Sequence, residues 1–328
     1  MTTNITLENI SYIKEEIMDE LTALITKTMK DTWPDIGVTI WDPVEARQIV
    51  KDIVLPIEPP KVKEVRDIKV SGRSDNLIPI RIYTPIDHKN VSPGIIYFHG
   101  GGWVLGDLET HDHVIRELAN FTGAVVFSVD YRLAPENPFP AGINDAQDAI
   151  KYVFNSASEY GVNADSIAIA GDSAGGNISA VMCILAKDGQ IPMPVFQLLI
   201  YPVTDANFER PSYNQSDEFQ FLTKAQMKWY WDNYIPNPAD RINKLITPLN
   251  ADDLSGLAPT YVATAENDPL LDEGKLYADK LISFGNKVTY RQFDGLPHGF
   301  INLYEYSFVA RDATYEMFAT VRDALWSN

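Results

Sequence analysis

The hexapeptide Gly171-Asp172-Ser173-Ala174-Gly175-Gly176 constrains this chain more than any other stretch. It follows Ser166 to Ala170, a short apolar run with isoleucine at alternate positions, the pattern of a buried strand. It precedes Asn177 to Ala186, a run apolar enough to form a buried helix. A serine between glycines at a strand-to-helix turn is forced into a strained backbone that lifts its hydroxyl above the sheet edge. Small neighbours are required because strand and helix pass so closely there. The arrangement predicts that Ser173 is a nucleophile.

The rest of the chain supplies the sheet this turn needs. Strands are expected at Lys61 to Val70, Leu77 to Tyr83, Gly94 to Phe98, Ala124 to Val129, Ser166 to Ala170, Phe196 to Tyr201, Thr260 to Ala265 and Lys287 to Phe293. The turn-rich stretch from Ser71 to Asn76 joins the first two as a hairpin. From the third onward, strands alternate with helix-like segments, which predicts an α/β fold: a mostly parallel sheet of eight strands with helices on both faces. Before them, Ile13, Ile17, Leu21, Leu24, Ile25 and Met29 fall at helical spacing, and Pro59-Pro60 marks the break. Residues 1–58 therefore read as an N-terminal helical cap segment, and 59–328 as the catalytic domain. A cap insertion at about 205–245 stands outside the alternation. It carries Phe208, Tyr213, Phe219, Phe221, Trp229, Tyr230, Trp231 and Tyr234 among mostly polar residues, a density expected to pack the N-terminal helices and line an apolar pocket.

Composition narrows the partners. With 328 residues, 45% of them apolar, the chain buries a large core in one big domain or two small ones. A net charge of −18 and no basic stripe argue against nucleic acid. No apolar run reaches the roughly 18 residues that span a bilayer. Met1 to Ile10 lack the basic start and apolar stretch of a signal peptide, so a cytoplasmic protein is expected. A single cysteine, Cys183, rules out an internal disulfide framework and any cysteine-based metal site.

A serine hydroxyl needs a base, usually a histidine oriented by a carboxylate. Five histidines are available: His88, His99, His111, His113 and His298. Where a serine sits on such an elbow, the chain order is serine, acid, histidine. Only His298 follows Ser173. The acid should close a strand between them, and Glu266, Asp268, Asp272 and Glu273 compete after Thr260 to Ala265. Asp268 is favoured because it falls just past the strand with Pro269 fixing the backbone behind it. Glu266 remains its main competitor, while Asp272 and Glu273 suit the positive end of the next helix. His99-Gly100-Gly101-Gly102 follows a strand, as a loop aiming backbone N–H groups at developing negative charge should, and the N–H of Ala174 is the remaining donor. His99 reads as a brace for that loop, and Asp172 as a supporting hydrogen-bond partner.

Taken together, the motifs resemble the bacterial hormone-sensitive-lipase family of carboxylesterases. The resemblance runs through His99-Gly-Gly-Gly-Trp103, Asp130-Tyr-Arg-Leu-Ala-Pro-Glu136, Phe139-Pro-Ala141, Gly171-Asp-Ser-Ala-Gly-Gly-Asn177, Asp268-Pro-Leu270 with Asp272-Glu-Gly274, and His298-Gly-Phe300. It implies an α/β-hydrolase fold with a helical cap and a triad of Ser173, Asp268 and His298, settling the acid on Asp268. It also implies oxyanion donors from Gly101, Gly102 and Ala174, and hydrolysis of short- to medium-chain acyl esters without metal or cofactor. A substrate pocket is expected from Trp103, Phe208, Tyr213, Phe219 and Phe221, and a homodimer by resemblance alone. Asn267 and Leu271 depart from the family, which often has an aromatic and an arginine there. An amidase, lactonase or peptidase of the same fold is the alternative; a ligand-binding relative that had lost its base would lack the histidine kept here.

Overall fold

The computed structural model describes residues 24, 27, 36–52, 58–214 and 220–327. Of the expected N-terminal helix, Leu24 lies in a helical position, while Ile13, Ile17, Leu21, Ile25 and Met29 lie outside the described residues, as does Phe219. In chain order the main elements are α1 (Pro43–Asp52), β1 (Glu64–Ser71), β2 (Leu77–Thr84), β3 (Ser92–Phe98), α2 (Asp112–Thr122), β4 (Val125–Val129), α3 (Ala141–Ser156) and β5 (Val162–Asp172). They continue with α4 (Ala174–Lys187), β6 (Gln197–Ile200), α5 (Lys224–Tyr234), β7 (Thr260–Asn267), α6 (Leu271–Ser283), β8 (Val288–Pro297) and α7 (Phe308–Trp326).

The eight strands form one sheet in the order β1-β2-β4-β3-β5-β6-β7-β8. Only β2 runs against its neighbours, pairing antiparallel with β1 and β4, and the rest are parallel. Every strand expected from the sequence is present, and β5 runs on past its apolar run to deliver Asp172 directly into the turn. Side-chain alternation divides the central strands between two cores. Ile96, Phe98, Ile167 and Ile169 face one layer, shared with Cys183 and the rest of α4. Ile95, Tyr97, Ala168 and Ala170 face the other, where Leu118 of α2 and Phe318 of α7 pack. Both faces of β3 are buried along its whole length, as a central parallel strand requires.

The stretch after β6 meets the glycine loop that follows β3, where the Trp103 ring packs on Trp231 and Tyr234. Its helix α5 starts at a reciprocal cap: Thr223 accepts the N–H of Gln226 at 3.2 Å, and the Gln226 side chain accepts that of Thr223 at 2.8 Å. The N-terminal segment meets this helix where the Trp229 indole donates to the Trp41 carbonyl at 3.2 Å. Arg47 of α1 fastens the same segment to the domain below, donating to the carbonyls of Val104 and Ala134 at 2.7 and 2.6 Å and pairing with Glu136. Among the described residues no helix is long and apolar enough to cross a membrane.

Candidate active site

Ser173 stands at the junction of β5 and α4 with φ 54° and ψ −116°, a conformation few non-glycine residues hold. The neighbours explain why it can. A Cβ on Gly175 would strike the carbonyl of Phe98 on β3, so only glycine lets the helix start this close to the sheet. The turn is pinned on both sides: the Ser173 N–H donates to the Ile200 carbonyl at 2.8 Å, and its carbonyl accepts from Asn177 at 3.0 Å and Val203 at 3.2 Å.

His298 arrives on the loop after β8 and places Nε2 3.0 Å from Oγ of Ser173. Its Nδ1 lies 2.7 Å from Oδ2 of Asp268. With Nδ1–H donating to the carboxylate, Nε2 is left to accept the serine proton. Asp268 is fully buried, and its other oxygen accepts the Leu270 N–H at 2.8 Å. The competing carboxylate, Glu266, points elsewhere and accepts the Gly295 N–H at 2.6 Å. Asn267, one of the departures from the family pattern, ties down the same corner by donating to the Gly295 carbonyl at 3.2 Å.

The glycine loop lies against the elbow. Gly101 and Gly102 have φ 108° and 60°. The Gly101 carbonyl turns inward to accept from Val104 and Leu105 at 3.1 and 2.8 Å. A Cβ on Gly102 would run into the ring of Tyr230 on α5. His99 braces the loop from within: its Nδ1 meets the Gly100 carbonyl at 2.7 Å and its ring stacks on Tyr131, centroids 4.5 Å apart. Burial lowers the His99 pKa to about 4, helped by the nearby His111, so the ring is neutral at physiological pH. Asp172 supports the loop from below, accepting from Tyr97 at 2.8 Å and from the Gly100 N–H at 2.9 Å. Among the described residues, no group of three or more His, Cys, Asp or Glu is placed to hold a metal ion.

A family model described as alpha/beta hydrolase fold matches residues 95–302, well over half of the chain. The carboxylesterase NlhH of Mycobacterium tuberculosis is 41% identical over 308 residues, covering 92% of this chain and 95% of that protein. The carboxylic ester hydrolase LipN of the same organism is 38% identical, covering 86% of this chain and 76% of its own length. A solved esterase from Pyrobaculum calidifontis superposes with a TM-score of 0.84 at 38% identity, covering 91% of this chain and 97% of that one. The chain belongs to the hormone-sensitive-lipase-like α/β-hydrolases.

In this hydrolase the expected pocket aromatics take different places. Phe221 lies near the triad, its ring edge 3.9 Å from where a Cβ on Gly299 would stand, beside His298. Trp103 is buried in a stack, 4.3 Å from the ring centre of Tyr234 and 4.8 Å from that of Trp231, and so joins the glycine loop to α5. Tyr213 is buried too, with Phe208 edge-on at 5.6 Å and its hydroxyl donating to Glu273 at 3.2 Å. Tyr201 is not singled out from the sequence, and Glu273 is weighed there only as a competing acid or a helix-start residue. Tyr201 holds a positive φ of 34° and packs its ring 4.6 Å from His298. Glu273 lies within the acidic helix start that the sequence does show, but its full burial does not.

Proposed function

We propose that this α/β-hydrolase is a serine carboxylesterase of short- to medium-chain acyl esters, acting through an acyl-enzyme intermediate. The relay from Asp268 through His298 to Ser173, closed at 2.7 and 3.0 Å, is the observation that carries this reading. Ser173 Oγ attacks the ester carbonyl carbon while His298 Nε2 takes its proton, and Asp268 holds the imidazole and stabilises the imidazolium. The N–H groups of Gly101, Gly102 and Ala174 receive the negative charge that develops on the carbonyl oxygen; one such donor is worth roughly 3 kcal/mol in the transition state. Collapse expels the alcohol, which leaves with the proton from His298. Water then attacks the acyl group with His298 again as base, and the second collapse releases the acid and returns the proton to Ser173. Each proton in this cycle has a side chain to carry it, so the reaction calls on no metal or cofactor. The N-terminal segment and the insertion form the cap that sets which acyl groups enter.

A hydrolysis series on aryl esters from acetate to long acyl chains, with one anilide included, tests the reading. Short and medium esters should turn over fastest and the anilide slowly. Ser173→Ala should lose at least about 10⁴-fold in kcat, as removal of a triad member does. Full activity in that variant, or faster cleavage of the anilide, would overturn the assignment.

A further inference from the structure

The acidic first turn of α6 reads in sequence as a response to the positive end of a helix. Glu273 is nevertheless fully buried, and a buried carboxyl is costly unless its oxygens are bonded. Its Oε1 accepts the N–H groups of Thr204 and Asp205 at 2.8 and 3.2 Å, and its Oε2 meets the Tyr213 hydroxyl at 3.2 Å. The Glu273 backbone carbonyl accepts the Thr204 hydroxyl at 2.8 Å. Beside it, Asp272 accepts the Ser212 N–H at 2.8 Å, and the Pro269 carbonyl accepts the Ser212 hydroxyl at 2.6 Å.

These bonds join two stretches of chain that each hold part of the triad. On one side, Val203 donates to the Ser173 carbonyl at 3.2 Å and accepts from the Asn177 side chain at 2.9 Å, so residues 203–205 run from the elbow to Glu273. On the other, the Asp268 carbonyl accepts from Leu271 at 3.1 Å, in the first turn of the helix that carries Glu273. The gap between nucleophile and acid is thus spanned twice, once by the His298 imidazole and once by the Glu273 carboxyl.

We propose that Glu273 is a positioning residue for ester hydrolysis: its carboxyl fixes the spacing between the Ser173 elbow and the Asp268 loop, and seats Tyr213 at the root of the insertion. The inference rests on the triad reading given above. Glu273 touches no reacting atom and acts through Thr204, Asp205 and Tyr213. Burial pushes its carboxyl up to about 8, against the pull of the Thr204 and Asp205 N–H groups. The charged and titratable groups around it are Asp205, itself paired with Arg210, Tyr213 from the insertion, Asp272 on its own turn and Asp268 in the adjoining loop. Above that pH a buried charge appears beside Asp205, held by the N–H groups of Thr204 and Asp205 and by the Tyr213 hydroxyl.

Steady-state kinetics of Glu273→Ala and Glu273→Gln, from pH 6 to 9 on an aryl acetate, test this. The alanine variant should lose about 10- to 100-fold in kcat, the scale of a sub-ångström to ångström misplacement. The glutamine, which keeps both an acceptor and a donor, should restore activity to within about threefold of wild type at neutral pH. Wild-type kcat/KM should change as the pH passes 8, and the glutamine variant should lack that change. Wild-type kcat in the alanine variant overturns the proposal, as does an unaltered alkaline limb in the glutamine variant, which decides the matter if the alanine protein does not fold. Failure of the triad reading is separate: it shows as activity in Ser173→Ala, whereas failure here leaves that variant dead.

Discussion

The N–H of Gly100 donates to the Asp172 carboxylate at 2.9 Å, so the residue just before Ser173 also holds the glycine loop that we propose presents the oxyanion donors. The same oxygen accepts from Tyr97 at 2.8 Å and faces His111 Nε2 at 3.2 Å. Burial alone would raise this carboxyl, but the charge and hydrogen bond of His111 and the bond from Tyr97 hold it below the usual aspartate value. Elbow and loop are therefore set against each other through one anionic side chain.

Asp172→Asn removes that charge and turns one of its oxygens into a donor. A buried group left without its partner costs about 1–3 kcal/mol, and here the cost falls on the loop proposed to carry the transition-state donors. We expect kcat to fall about tenfold or more while KM stays within about threefold, the pattern of an interaction made in the transition state. Steady-state kinetics on a short aryl ester measure both. An unchanged kcat would show that the loop keeps its place without the carboxylate.

Gly102 and Tyr230 make a second pair, which spans the glycine loop and α5. With φ 60° and a tyrosine ring where its Cβ would go, Gly102→Ala should push α5 outward or the loop inward. We expect about a 10²-fold loss in kcat/KM, comparable to losing one oxyanion donor. Combining it with Tyr230→Ala opens the space and should recover at least a part of that loss, so the two changes are non-additive. Strictly additive losses would mean that the ring and the loop do not bear on each other.

Much of this site was legible because its geometry is local. Alternating isoleucines at 167 and 169 mark β5, the glycines around Ser173 mark the turn, and chain order alone leaves His298 as the base. Spacing could not decide between Glu266 and Asp268, because residues two apart share a face in a regular strand. The pairing of β7 with β8 shifts register between Ala265 and Asn267, and this irregularity sends the two carboxylates to different places. Trp103 and Tyr213 were expected at the substrate pocket from their chemistry. Their actual neighbours, Tyr234 for one and Glu273 for the other, are remote in sequence and invisible to any local pattern. The burial of Glu273 was hidden for the same reason: it depends on residues 204–213, which only the fold brings to it.

Stability should record that burial as a pH dependence with a definite sign. The Glu273 carboxyl is raised from 4.5 to about 8 in the folded protein, so between those values the native state binds the proton more tightly than the unfolded chain does. Its contribution is fully present below pH 4.5 and is lost as the pH rises toward 8. His99 has the opposite slope: with a native value near 4 against 6.5, it destabilises the fold as pH falls through that interval. Glu273→Gln removes the first slope and leaves the second. Urea unfolding of wild type and Glu273→Gln at intervals from pH 5 to 8 should show the variant gaining on wild type as pH rises, by at most about 1.4 kcal/mol per pH unit. A difference that stays constant across this range would mean that Glu273 titrates alike in both states, and the buried bonds from Thr204, Asp205 and Tyr213 would then be holding an ordinary carboxylate.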